Sequence, residues 1–152
     1  MFKKYATVFL ISMLPIVELR GAIPVGAGLG LDFWEIYALA VLGNILPVPF
    51  LILFAKGILE WLSHFDRIGP FFRRIIEKAD EKAKKLGKFE LAGLFFFVAI
   101  PAPGTGAWTG SLIAAILRLR LRGAIIAIVL GVMTSGIIMG ILSFGILSFI
   151  GL

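Results

Sequence analysis

Three uncharged runs constrain this chain more than any motif in it. Ile36–Ala55 extends for 20 residues, Leu91–Leu117 for 27 and Gly123–Leu152 for 30. At about 1.5 Å per helical residue, each can cross a hydrocarbon layer of about 30 Å. A helix on a soluble domain keeps a polar face, and these runs have none. With 60% hydrophobic residues and a mean hydropathy of +1.05, the chain reads as an all-α polytopic membrane protein. Its net charge of +6 then reports topology rather than a nucleic-acid partner. The absence of cysteine excludes a disulfide framework and a thiolate metal site. The start, "MFKKYATVFLISML", has the basic and apolar regions of a signal peptide. The "PIVELR" that follows is a poor cleavage region, so the segment is expected to be retained.

Four apolar blocks emerge, at about 5–31, 34–58, 90–117 and 123–151. Between the second and third lies a polar stretch in which Phe65, Ile68, Phe72, Ile75, Ala79, Ala83 and Leu86 recur at helical spacing. Its other side carries Arg73, Arg74, Lys78, Lys82, Lys84 and Lys85 among Glu77, Asp80 and Glu81. The spacing predicts a basic amphipathic helix along the headgroups or, equally, a solvated connector that only fixes orientation.

Blocks one and three each run about thirteen apolar residues into a cluster of helix breakers. These are Pro15 with "ELRGAIP" at 18–24, and "PAPGTGAWTG" at 101–110. Pairing Gly21-Ala22 with Gly106-Ala107 sets Glu18 against Pro103. Blocks two and four echo each other through "YALAVLG" at 37–43 and "IIAIVLG" at 125–131. The repeated order of broken block then smooth block points to an internal duplication. The single membrane domain, 1–152, then divides into a first repeat (1–58), a linker (59–89) and a second repeat (90–152).

Thirteen helical residues extend about 20 Å, enough to pass the midplane and stop. Each broken block can kink and continue, or return as a re-entrant hairpin whose freed backbone groups meet protein or water. Lys and Arg outside the membrane divide twelve against two for hairpins and eleven against three for four spans, which barely separates them. Hairpin–span units of opposite orientation bring both tips to the midplane, a recurring transporter design. The expected fold is therefore an inverted repeat of re-entrant hairpin plus transmembrane helix, joined by a cytoplasmic amphipathic helix.

The chemistry-bearing residues sit in the breaks. A carboxylate at Glu18 costs several kcal/mol near the bilayer centre unless protonated, paired or hydrated. That suits a proton-exchanging or substrate-binding group, or a structural carboxylate held by Arg20 or by amides of the opposing turn. Arg20 suits phosphate or carboxylate through its forked donors, or simply Glu18. The amides of Gly104, Thr105 and Gly106 can form an anion-binding nest, or the turn can serve packing alone. Asn44, with Pro47 and Pro49 well inside block two, either contacts the tips or only marks a helix kink, the second being favoured. Gly21, Pro24, Pro101, Pro103 and Trp108 complete the candidate set, with packing favoured for Trp108 and for Trp34. Gly131, Ser135, Gly136 and Gly140 form small-xxx-small pairs for close helix packing. His64 has no metal-ligand neighbours in sequence. No nucleophile or phosphate-loop motif is present, so no catalytic residue, metal, cofactor or enzymatic activity is expected.

"ELRGAIP" at 18–24, followed after the linker by "PAPGTGAWTGSLIA" at 101–114, resembles the prokaryotic small multidrug export family across essentially the whole chain. That family is in turn similar to the DedA/VTT superfamily, described as lipid scramblases and polyprenyl-phosphate carriers with facing re-entrant hairpins. The resemblance implies transport roles for Glu18, Gly21 and Ala22, with Pro24 one residue earlier than the superfamily spacing. It implies a multi-pass plasma-membrane protein working on membrane lipids or a small amphiphilic substrate.

Three functions stand at this point. The first is transport or scrambling of an anionic lipid or polyprenyl phosphate. The second is proton-coupled export of cationic drugs, and the third a non-transporting membrane assembly factor. A chain this short has little material to enclose a pathway alone, which points to self-association as a homodimer.

Overall fold

Proline and glycine decide where the helices stop. The computed structural model describes residues 1–150, with backbone alone for Ile75, Ala79, Asp80, residues 82–88, Leu147, Phe149 and Ile150. The stripe positions Ile75, Ala79, Ala83 and Leu86 and the charges Asp80, Lys82, Lys84 and Lys85 thus lie outside the described side chains. The described residues form α1 (Phe2–Met13), α2 (Glu18–Gly28), α3 (Phe33–Ile45), α4 (Val48–Ser63), α5 (Gly69–Ala99), α6 (Ala107–Ile116) and α7 (Leu121–Ile150). Pro15 separates α1 from α2, Pro47 separates α3 from α4, and Pro101 and Pro103 separate α5 from α6. Pro49 and Pro70 sit in first turns, where their missing amide costs nothing.

Pro24 departs from the expectation. It lies inside α2, so the first break is Leu14–Val17 and most of "ELRGAIP" is the returning arm rather than the tip. The linker departs too. Its opening residues finish α4, and from Gly69 it runs without interruption into the apolar end of α5. No helix break therefore separates the basic segment from the first arm of block three.

α1 and α2 form an antiparallel pair, tied where Lys4 Nζ donates to Leu29 O at 2.7 Å. Tyr5 OH reaches Glu35 Oε2 at 2.9 Å, placing the start of α3 at the same end of the molecule. At 12, 11 and 10 residues, α1, α2 and α6 are each too short to cross a bilayer. Among the described residues two stretches are long and apolar enough, Phe33–Ser63 (through the Pro47 break) and Leu121–Ile146. Phe50, Phe54, Phe96, Ile126 and Ile141 are exposed on the outside, an apolar surface suited to lipid.

From the tips onward the two halves repeat one local geometry at a shift of 88 positions. Glu18 (φ +51°) corresponds to Gly106 (φ +126°), and Gly30 (φ +71°) to Arg118 (φ +50°). Both second arms close with paired amide bonds around that left-handed residue. They are Leu31 N to Gly26 O with Gly30 N to Ala27 O, and Leu119 N to Ala114 O with Arg118 N to Ala115 O. α3 starts at Phe33 and α7 at Leu121, with the same shift. The Gly21–Gly106 pairing read from sequence, a shift of 85, is not kept, whereas the echo of 37–43 in 125–131 has the shift of 88; the second tip holds two residues more than the first. Before the tips the shift is 86: Gly43 approaches Phe9 O and Ser12, while Gly131 approaches Phe95 O and Val98. Gly136 and Gly140 seat Tyr37 and Phe33, bearing out their reading as close-packing residues. Contacts between the halves are reciprocal, α2 against α7 and α6 against α4.

Candidate functional site: interlocked helix ends

A broken helix leaves amides at one end and carbonyls at the other without partners. Here the two breaks satisfy each other. Glu18 opens α2 and sends its carboxylate to the start of α6, where Oε1 accepts from Trp108 N at 3.0 Å. Anions are favoured at a helix N-terminus, and the glutamate is 3% exposed. The approach requires a glycine beneath it, since a Cβ on Gly106 would lie 2.0 Å from Glu18 Oε2. Glu18 itself adopts a left-handed backbone, which costs a side-chain-bearing residue about 1–3 kcal/mol.

Arg20 does the converse at the carbonyl end. Its Nη1 donates to Ala102 O and, at 2.6 Å, to Thr105 O. Its Nη2 reaches Ile100 O at 3.1 Å and Thr105 Oγ1 at 2.6 Å. Thr105 Oγ1 bonds Ile100 O and Ala102 O at 2.8 Å as well, folding "PAPGT" into a cup of acceptors. Gly104 supplies a φ of +79° in that cup. Trp108 completes the interlock: its Nε1 donates to Met13 O at 3.1 Å, at the exposed carbonyl end of α1.

Several expectations change. Among the described residues no salt bridge joins Glu18 to Arg20; each is spent on backbone of the opposite tip. The tip around Gly104–Gly106 meets Arg20 with carbonyls. The anion at the amides of α6 is the protein's own Glu18. Gly21 packs beside Val17, and Pro24 stays within α2, one turn beyond Arg20. Pro101 and Pro103 shape the cup that receives the guanidinium.

Asn44 is fully buried at the end of α3 with its amide against the Glu18 carboxylate, and its Oδ1 closes no hydrogen bond. Trp34 lies exposed, away from the tips. His64 terminates α4, its Nδ1 2.7 Å from Glu60 O. Among the described residues no three His, Cys, Asp or Glu side chains gather as a metal site.

Sequence reasoning missed the two lysines that close the second arms. Lys4 holds the end of α2, and Lys56 Nζ donates to Leu119 O at 2.8 Å beyond the end of α6. Beside the latter, Arg118 pairs with Glu60 at 3.4 Å. Cations are favoured at helix C-termini, but nothing in the local sequence says which helix a distant lysine will reach.

Long apolar helices and an apolar exterior mark an integral membrane protein, with Glu18 and Arg20 held at an interior junction of broken helices. Residues 18–138 match the family model described as "Putative small multi-drug export protein", and the chain belongs to that family. No curated protein and no solved structure matches it.

Proposed function

We propose that the protein is a secondary transporter or scramblase in which two re-entrant hairpins, α1–α2 and the apolar end of α5 with α6, meet at the bilayer midplane. The interlock of Glu18 and Arg20 with the opposite tip is the observation that carries this reading. Charged groups fixed to helix ends inside an apolar shell have a use when those ends must part and re-form around a substrate. Inverted repeats are supported by the shift of 88 residues from the tips onward and by the reciprocal packing of α2 and α6. Hairpins are supported by Lys4–Leu29 and Tyr5–Glu35, which hold both ends of block one together. Lys56–Leu119 and Glu60–Arg118 do the same for the end of block three and the end of α4.

The substrate class proposed is an anionic amphiphile, a lipid or polyprenyl phosphate, in keeping with the DedA/VTT likeness of the motifs. Its headgroup would take the α6 amides when the Glu18 carboxylate leaves them. Export of lipophilic cations is the second reading, favoured by one observation: Arg20 is turned to carbonyls and so opposes a cation at Glu18 less than its charge suggests. The protein is placed in the plasma membrane as a multi-pass protein, with 59–89 on the cytoplasmic side, working as a homodimer.

Liposomes decide between these readings. Purified protein and its Glu18→Gln variant are tested for movement of labelled phospholipid, polyprenyl phosphate and a fluorescent lipophilic cation. Lipid or polyprenyl-phosphate movement that falls at least tenfold in the variant supports the first reading. Cation movement alone supports the second. No movement of any probe leaves a membrane assembly factor as the better description.

A further inference from the structure

The two halves solve one packing problem with different chemistry. Where Gly131 lets α7 approach α5, the neighbouring buried side chains are Val98 and Val132. At the corresponding place, where Gly43 lets α3 approach α1, they are Ser12 and Asn44, both fully buried. Valine therefore fits this geometry, and packing does not require the polar pair. A polar atom buried without a partner costs about 1–3 kcal/mol; the Asn44 amide faces the Glu18 carboxylate, to which only its Nδ2 can donate, and its Oδ1 closes no hydrogen bond.

Two backbone acceptors are freed next to it in the chain. Proline has no amide hydrogen, so Pro47 cannot donate to Gly43 O, nor Pro49 to Ile45 O, as a continuous helix would require. Ser12 Oγ spends its proton on Phe9 O at 2.7 Å and keeps its lone pairs. The Glu18 carboxylate lies alongside Asn44. An oxygen-rich environment with a single carboxylate is too poor in charge for calcium or magnesium and lacks the nitrogen and sulfur that zinc or copper select. Broken helices whose carbonyls hold a coupling ion recur in membrane carriers.

We propose that Asn44 Oδ1, Ser12 Oγ and the freed carbonyls of Gly43 and Ile45 bind a dehydrated monovalent cation of sodium size, with Glu18 balancing its charge. The site deepens the transporter reading by naming a coupling ion, yet the binding itself does not depend on transport.

The test is the melting temperature of detergent-solubilised protein, followed by tryptophan fluorescence in sodium, potassium or choline chloride at equal ionic strength. Saturating sodium is expected to raise it by about 5 °C over choline, with potassium weaker. Asn44→Val, copying Val132, is expected to melt at or above wild type in choline and to lose the sodium response. Ser12→Ala is expected to weaken the apparent sodium affinity about tenfold, and Glu18→Gln further. Equal wild-type melting in sodium and choline overturns the site, as does an undiminished sodium response in Asn44→Val. A sodium-dependent melt in a protein that moves no probe in liposomes keeps the site and sinks the transport reading alone.

Discussion

Glu18 and Gly106 occupy the same station in the two halves, each the left-handed residue that opens a second arm. One carries a carboxylate and the other nothing beyond a hydrogen, and the first sits directly upon the second. A strict duplication would place two carboxylates, or two glycines, face to face. Two carboxylates would repel each other, and two glycines would leave the α6 amides bare. The asymmetry lets one tip provide charges and the other provide backbone. The same division appears at Arg20, whose four donor contacts all end on the second tip.

The largest expected effect comes from making the stations alike in bulk. Gly106→Ala puts a methyl group where Glu18 Oε2 lies, on a backbone that disfavours side chains. It should cost about 3 kcal/mol or more, read as a melting temperature in detergent. Gly104→Ala, with open space around its Cα, should cost only the conformational penalty of about 1–2 kcal/mol. Equal losses in the two variants would break the claim that Glu18 and Gly106 are in obligatory contact.

Arg20→Lys keeps the charge but replaces a fork by a point donor. A loss of about 2–4 kcal/mol is expected from the several carbonyls left unpaired. A melting temperature equal to wild type would show that the acceptor cup does not depend on the fork. Glu18→Gln keeps an oxygen for Trp108 N and removes the charge at the start of α6. About 1–2 kcal/mol should be lost, less than for Arg20→Lys, and a reversed order would reassign which charge holds the tips. Trp108→Phe removes one hydrogen bond, to Met13 O, and should cost about 1 kcal/mol. A fifth check concerns sidedness: Lys3→Cys and Lys82→Cys, in a chain without native cysteine, should label from opposite sides of the membrane. Labelling from the same side would favour four spans.

The family match and the long apolar helices agree with what hydropathy predicted, because a bilayer forces local sequence to declare itself. Pro15, Pro47 and Pro101 ended helices as their missing amides require, whereas Pro24, on an exposed side of α2, did not. Of the candidate site, Glu18 and Arg20 were legible as misplaced charges and Gly104 and Gly106 as turn residues. A bond from amides of the opposing turn to Glu18 was one of the legible readings, and the carbonyl partners of Arg20 were not. A charge two residues from its opposite looks like an ion pair in sequence, and the actual partners stand 80 or more positions away. The repeat register was legible in part: the echo of 37–43 in 125–131 has the shift of 88, whereas the tips align only when their positive-φ residues are matched.

The sequence alone determined that the chain enters a membrane as helices, where most of those helices break, and which few residues bring charge inside. It could do so because hydrophobicity, proline and glycine act on the backbone within a turn or two. Tertiary structure alone decided that the first tip caps the second, that Lys4 and Lys56 close the returning arms, and that Asn44 came to lie buried against Glu18. Those outcomes depend on which helix ends meet, and helix ends meet through packing between distant segments, which no local spacing records.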